Sequence, residues 1–149
     1  MTSTVRIATE SDLFDLLVLG REFSMEASEM HRWDKDKTEL AIINAIRSDT
    51  SEIFVLLDDR QNTQGFLFGV LTEPFMSHKK VAMELAWFVT KGFRGNRGSL
   101  KLVDAFESWG KSCNATSLIM SDINGVTDLK KFYEKRGYHV VETTYIKEI

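Results

Sequence analysis

The sequence predicts an α/β (α+β) fold: a mixed, mostly antiparallel sheet of six or seven strands flanked by about four helices. Three observations carry this expectation. Apolar periodicities of two and of 3.6 alternate along the chain in the order β-α-α-β-β-β-α-β-α-β, with further strand material at the end. A length of 149 residues with 43% hydrophobic content suits one domain, residues 1–149, with a sizeable core. No internal repeat, low-complexity segment or linker divides it.

Each element has a local reason. Val5–Ile7 opens as a short strand. Thr9, Glu10, Ser11 and Asp12 then give a hydroxyl cap and first-turn acids, and Leu13, Leu16, Leu17, Gly20, Phe23 and Ala27 continue one helical face to about Glu29. Met30–Trp33 interrupts the pattern, and a second helix begins near Asp36 with Leu40, Ile43 and Ile46 on its face. Glu52–Leu57 and Gly65–Glu73 form a hairpin around the polar turn Asp58–Gln64. The only proline, Pro74, opens a loop that returns as the strand Val81–Val89. A helix from about Gly98 to Ser112 follows, then a strand at Leu118–Met120 and a short helix at Asp128–Arg136, stopped by Gly137. His139–Glu142 and Tyr145–Ile149 read as closing strands.

Composition removes several classes of function. Apolar runs are too short to span a bilayer, and Arg6 breaks the only candidate for a leader segment, so a cytoplasmic setting is expected. One cysteine, Cys113, excludes a disulfide framework; its place on the apolar face of the central helix predicts a buried, inert thiol. His31, His78 and His139 are scattered without ligand spacing, so no metal is expected. The net charge of −3 argues against a generally basic nucleic-acid binder. Positive charge is concentrated at Lys91–Lys101 and at Lys130–Arg136, the latter reading as a solvated helix face.

The stretch Phe93–Ser99, FRGNRGS, joins the apolar strand ELAWFV to the central helix. Glycines let backbone approach a ligand closely, and the first amides of a helix lack intrahelical partners where the dipole favours negative charge. With Lys91, Arg94, Arg97 and Lys101 nearby, the turn reads as a phosphate cradle; a strand–helix turn with solvated charges is the plain alternative. It has neither the P-loop nor the dinucleotide fingerprint. The turn resembles the acyl-CoA-binding loop of the GCN5-related N-acetyltransferase (GNAT) family, [RQ]-x-x-G-x-[GA], with Arg94 first and Arg97 and Ser99 where glycines are usual. Phe132–Tyr138, FYEKRGY, is similar to the family's late helix-to-strand signature, about 35 residues on in the expected order. Together these segments are similar to small acetyltransferases of bacteriophages and bacteria.

The resemblance implies an N-acetyltransferase with acetyl-CoA as cosubstrate, no metal, and a primary amine as acceptor in a ternary complex. Arg94, Gly95, Asn96, Arg97, Gly98 and Ser99 would hold the pyrophosphate, and backbone groups of Trp87 and Val89 the pantetheine arm. The amide of Phe88 or Val89 would polarise the thioester. Asn124 stands two residues before the family's asparagine position, which is Val126 here. Tyr133 would give a proton to the leaving thiolate. Glu84, a lone acid in an apolar strand, is the candidate base, with Asp122 behind it. His31 and Trp33 would border the acceptor. A homodimer is compatible with the resemblance. Two alternatives remain open: a weak or inactive binding module of the same fold, and an acetyltransferase acting on protein or nucleic acid.

Overall fold

The computed structural model describes residues 2–27 and 29–149, without the side chain of residue 29. Its centre is a sheet with strand order β1-β2-β3-β4-β5. The strands are β1 (Thr4–Ile7), β2 (Ser51–Leu57), β3 (Thr63–Thr72), β4 (Val81–Val89) and β5 (Ser117–Ile119). The first four pair antiparallel in sequence order, and β5 joins β4 in parallel. The helices are α1 (Leu13–Glu26), α2 (Lys35–Arg47), α3 (Arg97–Ser112) and α4 (Lys130–Lys135).

The sheet separates two apolar layers. On one face Leu16, Leu19 and Phe23 of α1 and Ile42 and Ala45 of α2 pack on Ile53, Val55, Phe66 and Phe88. On the other, Leu102, Val103 and Phe106 of α3 pack on Phe54, Leu56, Leu67, Ala82 and Val89. Alternate strand residues therefore feed opposite layers, as the pleat requires. The start of α3 lies unusually close to β2: a Cβ on Gly98 would come within 2.9 Å of Leu56 and of Ser3, so only glycine fits there undisturbed.

Several expectations change. Among the described residues the sheet has five strands rather than six or seven. Residues 139–149 run without sheet pairing, with Val140 74% and Tyr145 89% exposed. Their β-favouring composition is left unpaired, and propensity alone does not make a strand. The first helix stops at Glu26, where Ala27 turns extended, rather than near Glu29. Cys113 is not buried in the helix face; it is partly exposed, at the C-cap of α3.

Candidate functional site

The site begins with one extra residue in β4. Pairing with β3 steps from Phe68–Ala86 to Gly69–Glu84, leaving Leu85 as a bulge. At the same place β5 lets go: it pairs with β4 only from Val81 to Met83. From Leu85 to Val89 the edge of β4 on the β5 side is paired to no strand among the described residues, and this open edge is the slot. The Thr90 amide donates to the Gln64 carbonyl, and antiparallel alternation then turns the polar groups of Phe88 and Ala86 toward β3. Those of Trp87 and Val89 point into the slot. This takes the Phe88 amide out of contention as a polarising donor.

The slot leads to the start of α3. Among the described residues, the amides of Gly95, Asn96, Arg97 and Gly98 donate to no protein acceptor. Gly95 makes the turn with φ +77°, a left-handed value that suits glycine, and its position is open. Arg97, the first helical residue, is exposed and makes no ion pair among the described residues. Arg94 behaves differently. Its Nε donates to the Val89 carbonyl at 2.7 Å, its Nη2 to Glu26 Oε2 at 2.6 Å, and its guanidinium lies 5.3 Å from the Phe88 ring centroid. It ties the ends of β4 and α1 together. Ser99 is buried, its hydroxyl donating to the Phe93 carbonyl at 3.2 Å.

Beneath the slot lies a small polar group inside the α3/α4 layer. Glu84 stands opposite Gly69, whose missing side chain would meet Phe106 and Trp109, so its carboxyl faces α3 and α4. Burial pushes that carboxyl up to about 7, against the pull of the Ser121 amide. The Tyr133 hydroxyl donates to the Ser121 carbonyl at 2.7 Å. Burial, then the negative charges of Glu84 and Asp122, raise Tyr133 well above an ordinary phenol, so it keeps its proton. Phe132 packs on Trp87 with ring centroids 5.8 Å apart. The Trp87 Nε1 hydrogen is buried without a partner among the described residues.

This architecture recurs in known proteins. An aminoglycoside antibiotic 6'-N-acetyltransferase, AAC(6')-Ih from Acinetobacter baumannii, matches with a TM-score of 0.80 at 17% identity, covering 99% of each chain. A GNAT family acetyltransferase from Staphylococcus aureus matches over 100% of each chain, with a TM-score of 0.72 and 13% identity. The chain has the GNAT acetyltransferase fold. AAC(6')-Iy, solved with the bisubstrate analogue CoA-S-monomethyl-acetylneamine, matches with a TM-score of 0.79 at 16% identity over 100% of this chain and 99% of that one. No family sequence model matches the chain, and no curated protein matches it in sequence.

Around this GNAT fold the remaining candidates divide. Asn124 is exposed on the turn beyond β5, where Gly125 adopts φ +77°. Asp122 organises that loop, accepting from the Thr127 hydroxyl at 2.5 Å and the Leu129 amide at 3.1 Å. His31 and Trp33 line a cleft of about 250 Å³ on the α1/α2 face, with Phe23, Phe66, Phe68 and Ala86. Burial holds the His31 imidazole below its ordinary value. Among the described residues no group of three or more His, Cys, Asp or Glu is placed to hold a metal, and no helix is long and apolar enough to cross a membrane. Three features escaped sequence reasoning: the Leu85 bulge, the Glu26–Arg94 tie and the orphaned Trp87 hydrogen. Glu26 and Arg94 are 68 positions apart, and no local pattern pairs them.

Proposed function

We propose that this chain is a cytoplasmic, single-domain N-acetyltransferase that moves an acetyl group from acetyl-CoA to a primary amine in a ternary complex. The observation that carries the reading is a pair of free donor groups on the two sides of one strand–helix turn. They are the backbone of Trp87 and Val89 in the slot and the partnerless amides of Gly95–Gly98, with Arg97 beside them. A thioester arm is a chain of amides and a pyrophosphate an anion, and the pair presents donors to both. Gly98 and Ser99 shape this turn; Asn124 stands on the one beyond β5.

The amine nitrogen attacks the thioester carbon, the N–C bond forms and the C–S bond breaks. One proton leaves nitrogen and one ends on sulfur, giving amide and CoA thiol. The Val89 or Trp87 amide steadies the carbonyl oxygen as charge grows on it. Tyr133, protonated until the C–S bond breaks, gives its proton to sulfur and regains one from the nitrogen's proton by way of water. Glu84, titrating near neutrality, is the relay for the nitrogen's proton through water.

Thermal unfolding with acetyl-CoA and with free CoA tests the reading, followed by thiol release in the presence and absence of an amine. A rise in melting temperature and amine-dependent thiol release are expected. No shift at millimolar CoA in well-folded protein rejects it. One observation favours a second reading, a binding module of this fold: Arg94 and the Val89 carbonyl are already engaged with each other and, through Arg94, with Glu26. That reading predicts CoA binding or none, and no amine-dependent thiol release.

A further inference from the structure

The α1/α2 cleft carries information about the acceptor. Its floor includes Ala86, the first residue after the Leu85 bulge, so it reaches β4 where the slot opens. The other face of β4 at this level is filled by Trp87, Glu84 and the helix carrying Tyr133. An amine approaching a carbonyl held at the β4 edge therefore has one roomy approach, the cleft. Its wall is aromatic and aliphatic: Phe23 meets the His31 ring edge-on at 4.9 Å between centroids, and Phe66, Phe68, Ile42 and Ile53 complete the base. Among the described side chains that line it there is no carboxylate, and its one permanent charge is the cation Arg32, paired at the mouth with Glu148.

We infer that the acceptor is a small arylalkyl primary amine, its ring buried among Phe23, His31, Phe66 and Phe68, rather than a polycation. This rests on the acetyl-transfer reading for the direction in which the amine faces. An ammonium group in apolar surroundings needs a paired anion, and a second or third ammonium has none here. The single reacting amine escapes that cost because it must be neutral to attack. A space of about 250 Å³ also sets the size, one ring with a short chain rather than a trisaccharide. Aromatic edges offer offset and T-shaped contacts to such a ring. His31, held neutral by burial, adds a polar edge without adding charge.

The test compares 2-phenylethylamine and tryptamine with kanamycin and spermidine on the full chain. Direct binding is read by calorimetry without CoA, and turnover is read with acetyl-CoA. Binding at least about tenfold tighter for the arylalkyl amines is expected. Gly20 lies in the cleft wall, and its Cβ position faces Trp33 at 3.6 Å. Gly20→Leu fills the cleft and should remove that preference, while Gly20→Ala, which fits at ordinary contact distance, should keep it. Both variants are first checked for native unfolding curves, and the alanine variant alone decides if the leucine one fails to fold. Equal or tighter binding of spermidine or kanamycin overturns the inference, as does absence of arylalkyl amine binding at millimolar concentration. Unchanged affinity in a folded Gly20→Leu protein also overturns it. Arylalkyl amine binding without any CoA-induced shift leaves the cleft assignment standing and removes the transfer reading.

Discussion

The two halves of β4 have the same kind of sequence and opposite surroundings. Val81–Met83 is bonded on both edges, to β3 and to β5. Leu85–Val89 is bonded on one edge only, with a slot on the other. The first half is buried by ordinary packing: Ala82 is fully enclosed, and Gly110 of α3 comes so close that its Cβ position lies 3.1 Å from the Ala82 Cβ. The second half borders every group assigned a chemical role. Apolar burial holds a strand in place but cannot say what its free edge bonds to. That is settled by where the neighbouring strand stops.

Substitutions can break this contrast at graded cost. The largest effect is expected on the open half. Tyr133→Phe keeps the ring and removes the hydroxyl that meets the Ser121 carbonyl. If this tyrosine donates to sulfur, turnover falls by about a hundredfold to ten-thousandfold while CoA affinity barely moves. Steady-state kinetics beside CoA calorimetry measure both; a loss under about threefold assigns the acid elsewhere.

Glu84 stands where the halves meet, and its prediction concerns pH. Its carboxyl is pushed up to about 7 from 4.5, so between these values the folded chain holds a proton that the unfolded chain has released. Stability therefore falls as pH rises through that window and levels off above it. Glu84→Gln cannot ionise. It should match the parent near pH 4 and exceed it near pH 8, by at most on the order of 3 kcal/mol. Urea midpoints at the two pH values give the answer. The same difference at both would mean that ionisation of Glu84 is not the cause.

Beyond the open end, Arg97→Ala should weaken CoA about tenfold, the size of one lost charge-assisted contact, without lowering the melting temperature. Dephosphorylated pantetheine should be unaffected by it, and an equal loss for both ligands would show that Arg97 does not read phosphate. The smallest effect is expected on the closed half. In Gly110→Ala the new methyl would lie 2.6 Å from Leu118 Cδ2, costing about 1–3 kcal/mol of overpacking, against about 1 kcal/mol gained in helix propensity. A net loss of about 1 kcal/mol in stability, with CoA binding intact, would keep the halves distinct. Lost CoA binding in a stable Gly110→Ala protein would show them coupled.

What could be read from sequence follows the same division. The helix faces of α1 and α3, the β2–β3 hairpin and β4 itself were legible because burial stamps a period on composition: Leu16 and Phe23 recur on one face, and Leu102, Val103 and Phe106 on another. The turn from β4 to α3 was legible as glycine and arginine between an apolar strand and an amphipathic helix. The partners of Arg94 were not legible, since its fork meets Glu26 and the Val89 carbonyl, groups that only folding brings near. Val140 and Val141 carry the composition of a strand and lie exposed, because composition favours a strand without supplying its partner. Of the α1/α2 cleft, His31 and Trp33 were visible as an interruption between helices. Ala86, Phe66 and Phe68 joined them only through the sheet.

Leu85 can be considered as an edit to a text. Side chains along a strand obey a two-letter parity, and one inserted letter exchanges the parity of everything after it. With Leu85 present, Glu84 and Trp87 share a layer while Ala86 and Phe88 share the other. Deleting it would straighten the strand into regular pairing, with Glu84 and Trp87 still in one layer and Ala86 in the other, so the deletion removes the bulge and leaves the pattern. No single substitution anywhere in β4 does the same, because substitution changes letters and never their count. The variants most informative about how this site arose are therefore ones of different length, which a survey confined to point mutations will not contain.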